Sequence, residues 1–499
     1  MSCPVFPKPS NSKASLLKVF LTKSHSWLDA LYEKSYRMKM GEYRLPGRTI
    51  FMVNQPELVK KILVTEVENY PKSQLMAEIL APLLGDSIFT TNGEQWRSQR
   101  NMLDPAFKQA KVDQVFSLMQ SSVDAMSQRL AEKSCAGVFD IDKEMTFVTA
   151  DIIFRTIMST PLDEDDARKI FTAFEDFQRQ SPKFGLFRLF KLPQALHCFF
   201  GQRERQRSAA IIRGAIERIV EPRFGCAVQA QAGCPDSVLA LEQHGDILSS
   251  LLMSKNEQGK FFDFSEVVDQ ISMLFLAGHE TSASALSWSL YLLATHPEIQ
   301  QQAAEEAIVA FEQGDASLPV IKKLPLLKDV FKEALRLYPP VGFLSRDCVK
   351  DTVMRDKHMT TKDVVMISPW LIHRHHDYWH KPNDFDPHRF AADRNGQGGK
   401  SLPPAACYLP FGSGQRVCIG AAFAQQEALL ILAAILKDHQ LALAEGFTPK
   451  PVGRLTIRSK NGMRVRLTPR QSLPRDGTTE QRCSGVSTSS GHVPEETEL

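Results

Sequence analysis

From Val267 to Thr295 apolar residues recur at helical spacing for about eight turns without a proline, which predicts one long helix buried on most of its sides. Such a helix must be wrapped by a large core. Its middle breaks the pattern, because Ala277-Gly278-His279-Glu280-Thr281 puts a glycine, an acid and an alcohol between aliphatic flanks. Polar groups inside a buried helix cost free energy unless something uses them. Gly278 would let a flat ligand approach the backbone, and the Thr281 hydroxyl can bond its own helix and open a local groove. An N-cap or a solvent-facing stripe would explain the same residues, but Thr281 lies far from either end.

The chain has the material for that core. Its 499 residues are 43% hydrophobic and 23% charged, an ordinary globular composition that excludes a disordered chain, a collagen or a small disulfide scaffold. The length suits roughly two to four domains or one unusually large catalytic unit. With 60 basic and 57 acidic residues the formal charge is only +3, too balanced for a nucleic-acid partner. The 9 cysteines are scattered, with no C-x-x-C pair, which points to a reducing compartment rather than to zinc or a redox dithiol.

Along the chain, Arg48–Val53 reads as a strand and Gln55-Pro56-Glu57-Leu58 as the start of a helix. Residues 112–224 are mainly helical in pattern. Within them, 184–200 is an apolar-basic segment that suits core packing, or else a substrate-entrance or membrane-touching lip. Short strands are expected at Val364–Ile367, Leu455–Ile457 and Val465–Leu467. The run Leu16–Leu21 carries Lys18 and is too short to cross a bilayer, so no transmembrane anchor is expected. No acid precedes Asp29, and lysines mix with serines there, as in a transit peptide, although arginine is missing. A cytoplasmic location is expected, with a mitochondrial one as the alternative. The expected organisation is a lead segment, 1–40, a single catalytic domain, 41–470, and a disordered tail, 471–499, poor in large apolar residues.

The sharpest local signal is Phe411-Gly412-Ser413-Gly414-Gln415-Arg416-Val417-Cys418-Ile419-Gly420, followed at once by a helix beginning at Ala421. Backbone N–H groups and the positive end of a helix dipole there favour a cysteine thiolate, which can bind a metal. A phosphate loop fails, since Val417 stands where the third glycine of G-x-G-x-x-G belongs. A merely buried cysteine would not need the surrounding glycines and arginine.

This window resembles the haem-binding loop of the cytochrome P450 monooxygenases. The resemblance implies haem b with Cys418 as the thiolate ligand of its iron, supported by Phe411, Gly414, Arg416 and Gly420, and a mainly α fold with a minor β-sheet part. Three further motifs follow in the family's order. Trp96 and Arg100, four residues apart on one helical face, resemble the W-x-x-x-R pair that grips a haem propionate. The Ala277–Thr281 segment resembles the distal stretch in which Glu280 and Thr281 would pass protons. Glu333 and Arg336 resemble the E-x-x-R pair, joined by Arg389 of a P-x-R-F segment in a buried network, although by themselves they would pass for a surface ion pair. His388 stands where the family usually has glutamate.

Arg346 is a further propionate candidate, and Phe275, Ala277, Val341 and Phe343 would line the substrate pocket. His373, Arg374, His375 and His376 could suggest a metal site, but no cysteine or carboxylate completes a shell, and the family reading makes them structural. The enzyme so implied inserts one oxygen atom from O2 into a hydrophobic small molecule such as a terpenoid, fatty acid or steroid. The chain carries no flavin, nicotinamide or iron–sulfur signature. Its electrons would come from a ferredoxin or flavodoxin-type donor with its NAD(P)H reductase, and the protein would act as a monomer similar to soluble bacterial members. A haem-binding sensor or carrier, or a peroxide-driven haem enzyme, would share Cys418 but has no use for the acid and alcohol pair.

Overall fold

The structure is a computed structural model and describes residues 3–11, 26–45, 47–159, 161, 169, 172–174, 176–177, 202–312, 317–391 and 405–470. The 184–200 segment, residues 12–25 of the lead segment and the tail beyond 470 lie outside these residues.

The longer helices are α1 (Gln74–Leu84), α2 (Gly93–Leu103), α3 (Phe116–Ala136), α4 (Ile141–Met158), α5 (Gln202–Gln231), α6 (Phe264–Thr295), α7 (Pro297–Glu312), α8 (Pro325–Leu337) and α9 (Ala421–Asp438). Helix α6 is the predicted long one. A capping box starts it: Asp263 accepts from the Glu266 N–H, and Glu266 accepts from the Asp263 N–H, each at 2.9 Å. It stops where Pro297, which has no N–H to donate, opens α7. Helix α4 packs along α6, and α8 and α9 pack on it as well. Nearly every α6 residue from Val267 to Leu293 is buried. One core therefore surrounds this helix, as its two-sided apolar pattern demands.

The strands are β1 (Met40–Leu45), β2 (Arg48–Val53), β3 (Val138–Asp140), β4 (Leu344–Asp347), β5 (Thr352–Met354), β6 (Lys357–Met359), β7 (Val364–Ile367), β8 (His439–Leu443), β9 (Pro451–Gly453), β10 (Ile457–Ser459) and β11 (Arg464–Pro469). The largest sheet has the order β1-β2-β7-β4, in which β2 and β7 run parallel with Ile50 opposite Val364. Its middle strands are apolar on both faces, the pattern of a covered sheet. A second sheet is β3-β11-β8, and β5-β6 and β9-β10 are two-stranded.

Of the expected strands, Val364–Ile367 coincides with β7, and Val465–Leu467 lies inside β11. The expectation of a strand at Leu455–Ile457 is displaced to β10. The Ile457 carbonyl accepts from Ser284 Oγ at 2.7 Å and from Trp288 Nε1 at 2.9 Å, both on α6. Those long-range bonds set the strand, and local sequence does not show them.

Candidate active site

The cysteine loop is shaped by its neighbours. Gly412 and Gly414 have φ of 75° and 73°, in the left-handed region that favours glycine. A Cβ on Gly414 would lie 2.1 Å from the Leu63 carbonyl oxygen, so the second glycine is needed for close approach as well. The loop closes where the Cys418 N–H donates to the Phe411 carbonyl at 2.9 Å, and Gly420 immediately precedes α9. From α2, Arg100 Nη1 donates to the Val417 carbonyl at 2.9 Å. Cys418 is itself accessible at the wall of the site. Even so, the protein packed around its thiol raises the pKa, opposed by the Gly420 N–H and Arg100. Desolvation thus opposes what the loop N–H and Arg100 contribute to the thiolate, and a bound metal would hold the sulfur deprotonated.

Helix α6 supplies the opposite wall. Between Val267 and Leu293 the only described residues that are not buried are Ala277, Gly278 and Thr281, which share one face. The Thr281 hydroxyl donates to the Ala277 carbonyl at 2.6 Å, so it bonds its own helix as expected. Gly278 is needed for a reason that the sequence did not suggest. A Cβ there would lie 2.4 Å from Ile153 Cδ1 on α4, so helix packing excludes a side chain. Glu280 points away from Thr281: it is buried, accepts from Thr456 Oγ1 at 2.6 Å and lies 3.8 Å from Arg458 Nε. Glu427 of α9 is fully buried beside Ser282, next to the polar break of α6.

A third wall is cationic. Trp96 is buried on α2, with the Arg416 guanidinium 5.1 Å and the Lys72 ammonium 5.8 Å from its ring centroid. Arg346, on β4, is nearly buried, and its Nε has no hydrogen-bond partner among the described residues; the same holds for Arg416 Nε and Nη1. Burial, reinforced by Arg416, Arg346 and Arg100, drives the Lys72 pKa down to about 6. Burial likewise lowers Arg346 to about 10. Cations drawn this far out of water gain from pairing, so the cluster suits an anion, and a haem propionate fits both its charge and the arginine donors. Arg100 is less free for that task, since its Nε pairs with Asp104 at 2.6 Å. No sequence motif marked Lys72, a single lysine that the fold alone places beside the arginines.

Glu333 and Arg336 are both fully buried, and Glu333 accepts from Arg336 Nε at 2.7 Å and from Arg389 Nε at 2.9 Å. Arg336 also donates to the carbonyls of His373, Pro382 and Asp384 at 2.8, 2.6 and 3.0 Å. The surface-pair alternative does not describe this geometry. His373 is buried, its Nε2 accepts from the Leu409 N–H at 2.8 Å, and burial with Arg336 and Arg374 nearby lowers its pKa to about 3. It is a neutral strut behind the cysteine loop, and no group of metal-ligating side chains occurs among the described residues.

Of the pocket candidates, Ala277 and Phe343 are partly exposed and Val341 is exposed. Phe275 is the exception. It is 1% exposed and sits against Phe154 and His279, with ring centroids at 5.2 and 4.5 Å. Its side chain belongs to the α4–α6 contact and does not line the site.

A cysteine at the head of a helix, a facing helix opened along one strip, and a cluster of partly buried arginines suited to an anion define a haem-thiolate protein. A family model for cytochrome P450 matches residues 13–463, and the chain belongs to that family. It is therefore a monooxygenase that binds haem b through a cysteine thiolate and draws its electrons from redox partners. It is 28% identical to cytochrome P450 4F11 of Homo sapiens over 90% of this chain and 85% of the relative. It is 28% identical to cytokinin hydroxylase of Arabidopsis thaliana over 84% and 79%, respectively. Pentalenene oxygenase of Streptomyces avermitilis is 26% identical over 86% and 89%. Relatives of such different origin do not single out the bacterial branch. No described helix is long and apolar enough to cross a membrane.

Proposed function

We propose that Cys418 is the thiolate ligand and that Trp96, Arg100, Arg346 and Arg416, joined by Lys72, hold the propionates, with Phe411, Gly414 and Gly420 shaping the loop. When bound, the haem supplies oxygen activation, strengthened by thiolate donation. The protein binds, orients and moves protons. Ala277, Val341 and Phe343 offer an apolar surface to a hydrophobic substrate of the terpenoid, fatty acid or steroid class. Thr281, hydrogen-bonded to its own helix at the edge of that surface, holds a hydroxyl where a proton is needed, and Glu280 lies behind it as the acid.

The open strip of Ala277, Gly278 and Thr281 in an otherwise buried helix is the observation that carries this reading. The names of two relatives, a hydroxylase of cytokinin and an oxygenase of pentalenene, support a small-molecule substrate. The donor we propose is a ferredoxin or flavodoxin with its NAD(P)H reductase, acting on a monomeric enzyme in the cytoplasm, with the mitochondrion as the alternative compartment. The catalytic unit in this reading is 41–470. A screen of a library of hydrophobic and polar small molecules for type I spectral shifts tests the substrate class. Hits confined to polar molecules would overturn it. Reconstitution of the best hit with ferredoxin, flavodoxin and diflavin reductase systems in parallel tests the donor, and turnover with the diflavin system alone would reject our choice.

A further inference from the structure

Trp27, in the short 3-10 turn Trp27–Ala30 ahead of β1, lies in a slot that two glycines leave open. A Cβ on Gly342 would come 2.1 Å from its Cζ2, and one on Gly453 would come 2.3 Å from its Cε2, both far inside van der Waals contact. The two glycines are more than a hundred residues apart in the chain, so only the fold makes this slot. The indole Nε1–H donates to the Arg454 carbonyl at 3.2 Å, and Ser26 Oγ accepts from the Gly453 N–H at 3.0 Å. These bonds pin the lead segment to the end of β9. A tryptophan whose N–H is bonded and whose ring fills a matched gap has little freedom to turn.

The backbone on the other side of the slot is fixed as well. Ser368 Oγ donates to the Gly342 carbonyl at 3.0 Å, the Ile457 N–H donates to the Pro340 carbonyl at 3.0 Å, and β4 begins at Leu344. Between these anchors the Phe343 side chain is what can still move. Its ring stands edge to face with Trp27, the centroids 4.3 Å apart, and the residue is only partly buried.

We propose that Trp27 is a positioning residue that sets substrate size: seated between Gly342 and Gly453, it backs the Phe343 ring and so limits the length of hydrophobic molecule that the surface of Ala277, Val341 and Phe343 accepts. This rests on the reading that Phe343 lines that surface. Without the indole, Phe343 can fall back into the vacated slot, and the surface lengthens.

Titration of the haem-loaded full chain with 1-alkylimidazoles, from methyl to dodecyl, tests this, because the ring nitrogen binds the iron and the tail reports the space beside it. In the wild type each methylene that finds apolar surface should tighten binding roughly fourfold, up to a limiting tail length. In Trp27→Ala that limit should lie about two methylenes further out, so that the longest tails bind ~10-fold more tightly than in the wild type while 1-methylimidazole binds as before. Trp27→Phe, which keeps an aromatic ring against Phe343, should stay near the wild-type limit. In a Phe343→Ala background Trp27→Ala should add no further change. Weaker binding of every ligand alike, 1-methylimidazole included, marks a merely structural role and would overturn the proposal. So would an unchanged limit in Trp27→Ala beside a changed one in Phe343→Ala, which leaves the pocket reading standing; an unchanged limit in Phe343→Ala removes that reading itself. Should Trp27→Ala fail to load haem, Trp27→Leu carries the same test with the same expected sign.

Discussion

Cys418 and Thr281 stand on opposite walls of the site, and their replacement should fail in different ways. Cys418→Ala or Cys418→His removes the one sulfur set in a glycine-rich loop at a helix head, so the thiolate-type Soret band of the reduced carbon-monoxide complex should disappear. Survival of that band would send the search to another cysteine, of which Cys348 and Cys407 are buried in the core. Thr281→Ala takes away a hydroxyl that, among the described residues, bonds only its own helix, so haem loading and the carbon-monoxide spectrum should persist. Product formation should fall, by less than the ~10²–10⁴-fold typical of general acid help, since water can partly replace a hydroxyl. Electrons should then appear as hydrogen peroxide. Measuring NADPH consumed, peroxide formed and product made decides this, and full coupling in the variant would remove Thr281 from proton delivery. Both residues were legible in the sequence because each violates its local pattern. Lys72 was not, since an isolated lysine breaks no pattern.

Between elements, Gly278 marks where α4 crosses α6. The Cβ of Gly278→Ala would lie 2.4 Å from Ile153 Cδ1 and 2.9 Å from its Cγ1, so Ile153 must move or the helices part. Overpacking of this kind costs ~1–3 kcal/mol. Ile153→Val deletes the atom in closest contact and should recover part of the loss, whereas by itself it should cost only ~0.5–1.5 kcal/mol. Chemical unfolding of the two single variants and the double variant measures the coupling. Strict additivity would show that the two side chains do not meet. The spacing of apolar residues foretold α6 itself, and its start at Asp263 follows from a local capping box. What lies against Gly278 could not be read, because α4 is more than a hundred residues away in the chain.

Across the whole molecule, charges from distant segments share buried ground. In Arg336→Leu the Glu333 carboxylate keeps Arg389, but the carbonyls of His373, Pro382 and Asp384 lose their donor. Breaking a buried pair typically costs ~3–5 kcal/mol, so little soluble, haem-loaded protein should accumulate, and a normal yield would contradict the burial described here. Glu427 sets a pH dependence. Burial raises its pKa from 4.5 to about 8, with the Ser282 hydroxyl drawing it back only in part. The folded chain therefore holds more protons than the unfolded one between those values, and stability contributed by the neutral acid, complete below 4.5, is lost as pH rises through about 8. Glu427→Gln should flatten unfolding free energy across that window, and an unchanged slope would place the proton elsewhere. The sequence by itself determined the helix-rich class, the long central helix, the cysteine loop and the candidate charged pair, because periodicity, glycine and spacing act over a few residues. Only the tertiary structure decided that Glu280 turns to Arg458, that Phe275 packs inward, that Lys72 joins the arginines and that Glu427 is neutral. Each of those depends on which remote segments exclude water from a side chain, and desolvation is a property of the assembled fold.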